Sequence, residues 1–68
     1  MRFTQAKRLH NEDEVEVRVE PGKWAHGRVL GEPRLRASAS ASQIAWVEIP
    51  VLLDDGTYLP DVAHTDVR

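Results

Sequence analysis

The chain reads as a small all-β fold, a five-stranded antiparallel barrel with an N-terminal arm. Three features carry that expectation. Residues 14–20 alternate Val15, Val17 and Val19 with Glu14, Glu16, Arg18 and Glu20, the period-two pattern of a half-buried strand. Residues 43–53, QIAWVEIPVLL, form a longer β-rich run. That run breaks at Asp55-Gly56 and resumes over residues 57–61. Asp-Gly between such runs signals a hairpin and predicts a type I′ turn with two positive φ angles.

The elements follow in order. Phe3, Ala6 and Leu9 recur at three-residue spacing, which suits one or two helical turns too short to stand alone. Residues 1–13 are therefore an arm expected to lie against a barrel formed by residues 14–68. Pro21-Gly22 ends the first strand with turn chemistry. Residues 24–31 make the second strand. Ala25, Gly27 and Val29 are small enough for the interior, which leaves Trp24, His26, Arg28 and Leu30 outside. Gly27 and Gly31 mark a bend or a close backbone approach.

Residues 32–42 read as a long loop holding Pro33, Arg34, Arg36 and an Ala-Ser run. In the third strand, residues 43–53, Ala45, Val47, Ile49, Val51 and Leu53 face the core, and Ile44, Trp46, Glu48, Pro50 and Leu52 face out. Pro50 lacks a ladder donor and marks an edge, a bulge or a bend. Residues 57–61 are the fourth strand, 62–65 a turn, and 66–68 a last short strand. Closing such a sheet removes most exposed edges.

Sixty-eight residues make one domain with a modest core. Cysteine is absent, so neither disulfides nor thiolate metal ligands are available, which suits a reducing compartment. No apolar run approaches the ~20 residues that span a bilayer. The basic start has no apolar stretch behind it, so it is not a secretory signal. A soluble, cytoplasmic protein is expected. The net charge of −2 argues against bulk electrostatic capture of nucleic acid. Charge alternates in sign along the chain: basic at Arg2, Lys7 and Arg8, acidic through residues 11–20, basic through 21–36, acidic beyond. Internal complementarity accounts for this pattern.

No set of residues predicts catalysis. The serines sit in the Ala-Ser run, with no strained elbow to present them. Asp54 and Asp55 are adjacent, whereas acid–base pairs need separate environments. His10, His26 and His64 are scattered, and without cysteine no metal site is expected. No cofactor is expected. One constellation stands out. Trp24, Arg28 and Leu30 of the second strand share an outer face with Ile44, Trp46 and Leu52 of the third, and neighbouring strands would pair them. Trp and Arg are enriched at interface hot spots. Arg34 and Arg36 in the adjacent loop add charge for an acidic partner. Three occupants fit: the chain's own arm through Phe3 and Leu9, a second copy or protein partner, or single-stranded nucleic acid stacked on both indoles.

The runs EVEVRV, GKWAHGRVL, IAWVEIPVLLDDG and HTDVR together resemble an SH3-like barrel of the Tudor, agenet or KOW kind, over residues 14–68. The resemblance implies fold more than function, because this barrel hosts many jobs. In Tudor domains an aromatic cage reads methylated lysine or arginine. The corresponding positions here are Ala25 and Asp55, so a methyl-reader is not implied. The run WAHGRVLG is similar to that of the type II plasmid dihydrofolate reductases, tiny barrels assembled around a shared active-site pore. Their Val-Gln-Ile-Tyr stretch before a proline is not retained, since Gly56-Thr57-Tyr58-Leu59 precedes Pro60. The expectation is a non-enzymatic protein-interaction module. It would use Trp24, Arg28, Leu30, Arg34, Arg36, Ile44 and Trp46. Nucleic-acid binding on the same face, or an oligomeric pore enzyme, are the alternatives.

Overall fold

The computed structural model describes residues 1–38 and 45–68. A one-turn helix α1 (Phe3–Ala6) precedes five strands: β1 (Glu14–Glu20), β2 (Lys23–Val29), β3 (Arg34–Ala37), β4 (Ala45–Leu53) and β5 (Tyr58–Ala63). A 3₁₀ turn, His64–Asp66, follows β5. All strand pairs are antiparallel. The fold is the small all-β, five-stranded antiparallel kind that the valine alternation predicts.

β4 organises the sheet. Glu48 faces Arg34 of β3 on one side and Ala63 of β5 on the other, and Leu52 faces Arg28 of β2 and Tyr58 of β5. β2 and β3 therefore lie end to end along one edge of β4, with β5 along the opposite edge. The ladder runs across the gap through the Leu30 N–H, which donates to the Pro50 carbonyl. A hydrogen-bonded contact completes the circuit: Val67 bridges Val17, and Glu16 and Arg68 exchange backbone hydrogen bonds at 2.8 and 2.9 Å.

Parity along the strands is as expected except at Val19, Ala45 and Pro50: Val19, at the β1–β2 register shift, is exposed rather than buried. Val15, Val17, Val29, Val47, Ile49, Val51, Leu53, Val62 and Val67 form the buried core. On β4 Ala45, expected in the core, is exposed, because it faces Ala37 at the far end of the β3–β4 pairing. Pro50, expected to face out, is buried instead, because the β4–β5 register shifts between Ile49 and Val51 and makes it a bulge residue. Gly27 is tightly constrained. A Cβ there would stand 2.6 Å from the Leu52 carbonyl oxygen and 3.1 Å from the Leu53 Cα.

The arm is part of the packed molecule. Ala6 is fully buried, and Met1, Phe3 and Leu9 pack against the core. The Phe3 ring meets His64 edge-on at 5.8 Å, and the Met1 amino group donates to the Val67 carbonyl. The arm joins β1 beside Val29, whose carbonyl accepts the Glu12 N–H and whose N–H donates to Asp13.

Four expectations are corrected. Residues 34–37, expected as loop, form β3, because Arg34-Leu35-Arg36-Ala37 can extend and pair with residues 45–48. β5 runs on to Ala63, and Val62 is a core residue rather than part of a turn. The last expected strand reduces to the single bridge at Val67 with its flanking hydrogen bonds. The β4–β5 turn is not type I′, since Gly56 (φ 93°) is its one residue with positive φ. Gly56 N–H donates to the Leu53 carbonyl and Leu53 N–H to the Thr57 carbonyl, a type I turn closed by a glycine bulge. The Ala-Ser run from residue 39, and with it Ile44, lies outside the described residues.

Candidate interaction surface

Trp24 and Trp46 both sit outside the core, half-buried, as the strand parity requires. They do not form one patch. Arg28 faces Leu52, whereas Trp46 faces Arg36 of β3. Trp46 stands six residues from Leu52 along β4 in one direction, roughly 20 Å at about 3.3 Å per residue. Trp24 lies four residues from Arg28 in the other direction, roughly 13 Å. The single face expected from parity is split in two because β4 pairs first with β3 and then with β2, which spreads its outer residues along nearly the whole sheet. Neighbouring strands alone did not reveal that offset.

The first half is already occupied by the chain itself. Trp24 is paired across strands with Arg18, and the Arg68 guanidinium lies over its ring at 4.0 Å. Arg68 also holds Glu16 at 3.2 Å, and Arg18 is paired with Asp66. A platform of two indoles open to nucleic-acid bases is therefore not formed. Arg28 contacts Glu12 at 3.7 Å, and Leu30 is 40% exposed just beyond β2. His26 hydrogen-bonds Asp54 at 2.8 Å, with Glu14 at 3.9 Å on its other ring nitrogen. Among the described residues no cluster of three or more metal-ligating side chains occurs, and no helix is long and apolar enough to cross a membrane.

The second half is more open. Glu48 organises it. One carboxylate oxygen accepts Nε–H of Arg36 at 2.9 Å and the other accepts the indole N–H of Trp46 at 3.2 Å. Arg36 first, then the Trp46 N–H, hold the Glu48 carboxyl below its usual range, because both stabilise the anion. Trp46 and Arg36, cross-strand partners, are thus fixed to one carboxylate. Arg34 is held more loosely, 3.9 Å from Asp61. All four β3 side chains are exposed, and Leu35, opposite buried Val47, is 60% exposed. Among the described residues β4 is the one strand that pairs with β3, which leaves β3's second edge without a strand.

Arg34, Arg36 and Trp46 are thus brought together at one end of β4. Trp24, Arg28 and Leu30 lie elsewhere along the sheet. Leu35, Glu48 and Arg68 belong to these surfaces and were not singled out from the sequence. Leu35 carried a legible signal, the alternation in Arg-Leu-Arg-Ala. Arg68 carried none, because its stacking depends on ring closure. No protein-family model, no curated protein and no solved structure matches the chain.

Proposed function

We propose that the chain is a non-enzymatic protein-interaction module on an SH3-like barrel, and that its contact surface is the β3 edge with Trp46. One observation carries this reading: β3 presents four exposed side chains and a backbone edge with no strand on it among the described residues. Such an edge is a template for an added strand, in which main-chain hydrogen bonds give affinity and alternate side chains give selectivity. On one face Leu35 and Ala37 offer apolar contact. On the other, Arg34 and Arg36 favour a partner strand with carboxylates, and Arg34 is the freer of the two because Arg36 is already bound to Glu48. Trp46 adds an aromatic anchor whose orientation Glu48 fixes.

Selection from a random peptide library against the immobilised chain tests this reading, followed by fluorescence anisotropy on the recovered peptides. The expected peptides are extended and alternate acidic with apolar residues. Leu35→Lys and Trp46→Ala, at residues outside the core, should each weaken binding about tenfold while leaving the far-ultraviolet circular dichroism unchanged. Binding indifferent to both changes would remove β3 as the surface. Competition by oligothymidine with a steep salt slope would replace the reading with nucleic-acid binding.

A further inference from the structure

The arm seals the barrel beside Val29, and at the other end of β1 and β2 a cleft opens into the interior. Its floor is core: Val17, Leu53 and Val62. Its walls are Ala25 and Leu59, both half-buried, and Val19, which is 47% exposed. Val19 follows the buried pair Val15 and Val17, but it is the unpaired residue where the β1–β2 register shifts between Arg18 and Glu20. The rim is acidic. Asp55, Asp61 and Asp66 line the cleft; Arg18, the one cation among its described lining residues, is bound to Asp66, and Arg34 stands 3.9 Å from Asp61, so Asp55 carries the rim's unbalanced charge. The Thr57 N–H holds the Asp55 carboxyl below its usual range.

We propose that this open end is a groove for an extended segment of a partner protein, which inserts one aliphatic side chain and lays lysine or arginine side chains on the rim. The occupant follows from the charge: an apolar floor asks for an aliphatic group, and a rim with carboxylates in excess asks for cations beside it. The molecule supplies its own precedent. The segment that covers the sealed end buries Ala6 and packs Phe3 and Leu9, with Arg2 just before Phe3 and Lys7 and Arg8 between Ala6 and Leu9. An acidic strand, the kind suited to β3, is repelled at the rim, so the two surfaces select different partners. Arg34 is the one described β3 residue that reaches this groove, through Asp61; the floor, Val19 and Asp55 lie off β3, so changes there test the groove separately from the β3 reading.

A fluorescein-labelled synthetic peptide with one leucine flanked by lysines is the probe, titrated by anisotropy at low and physiological salt. Saturable binding is expected, weakened by salt, reduced about tenfold by Val19→Lys and about threefold by Asp55→Asn. Peptides with serine for the leucine, or glutamates for the lysines, should not bind. Leu35→Lys should leave the affinity unchanged. Amide shifts in a ¹H–¹⁵N spectrum should centre on Val19, Ala25 and Leu59. Asp55 lies in an exposed turn, and asparagine keeps an oxygen for the Thr57 N–H, so that variant reads the rim even where Val19→Lys does not fold. Equal binding of the glutamate peptide, no saturable binding, or shifts centred elsewhere would overturn the proposal. So would self-association that Val19→Lys abolishes, since a second copy would then be the occupant.

Discussion

The guanidinium of Arg68 lies over the Trp24 ring, its central carbon 4.0 Å from the ring centroid. Arg68 also forms the backbone pair with Glu16 that closes the sheet and places a side-chain nitrogen 3.2 Å from the Glu16 carboxylate. Ring closure and Trp24 shielding are therefore coupled through one residue.

Arg68→Ala should cost about 0.5–1 kcal/mol in urea unfolding, the range of an exposed cation–π contact. It should also shift the Trp24 emission to longer wavelength, measured in a Trp46→Phe background so that one indole reports. Arg68→Lys keeps the charge but loses the planar stacking surface, and should fall between the two. Unchanged emission in Arg68→Ala would show that the stack is not populated in solution.

Gly27→Ala tests the close approach of β2 to β4. Gly27 φ is not in the left-handed region, so the penalty is steric: the added carbon meets Leu52 and Leu53 backbone, which cannot rotate aside. Overpacking of this kind costs typically 1–3 kcal/mol. The midpoint of thermal unfolding should drop by roughly 5–20 °C, since about 1 kcal/mol moves a domain of this size by 4–8 °C. Gly22→Ala provides the contrast. Its site is open, so its cost comes from the positive φ of 76° alone.

The Glu48 carboxylate gives the acid limb. Its folded form binds a proton less readily than the unfolded chain does, because Arg36 and Trp46 stabilise the anion. Protonation therefore favours unfolding. The stabilisation is complete above the ordinary glutamate range and is lost as pH falls from about 5 through the lower folded-state value. Glu48→Gln should flatten that limb in a series of urea melts between roughly pH 6 and pH 3. An unchanged slope would mean the Arg36 and Trp46 contacts do not persist in solution.

How much was readable before the fold was known depends on whether the signal is local. Side-chain facing on β1, β2 and β4 was legible because alternation of valine with charge, or of small with large residues, is written within seven to nine residues. β3 was hidden because prolines, arginines and small residues have weak strand preference and Arg34–Ala37 extends only by pairing with β4. The turn type was misjudged because Asp-Gly is equally at home with a positive φ at glycine alone. The candidate surface suffered most. Facing tells which residues are outside, but not how far two strands are offset, and that offset parts Trp24 from Trp46.

The late pairing of Glu16 with Arg68, 52 residues apart, has a consequence for biosynthesis. A nascent chain can form the β1–β2 and β4–β5 hairpins as it leaves the ribosome, yet β1 must keep one flank bare until Arg68 clears the exit tunnel. During that interval β1 carries Glu14, Glu16 and Glu20 with Arg18 among them, and charged side chains on an open edge strand disfavour its pairing with another copy.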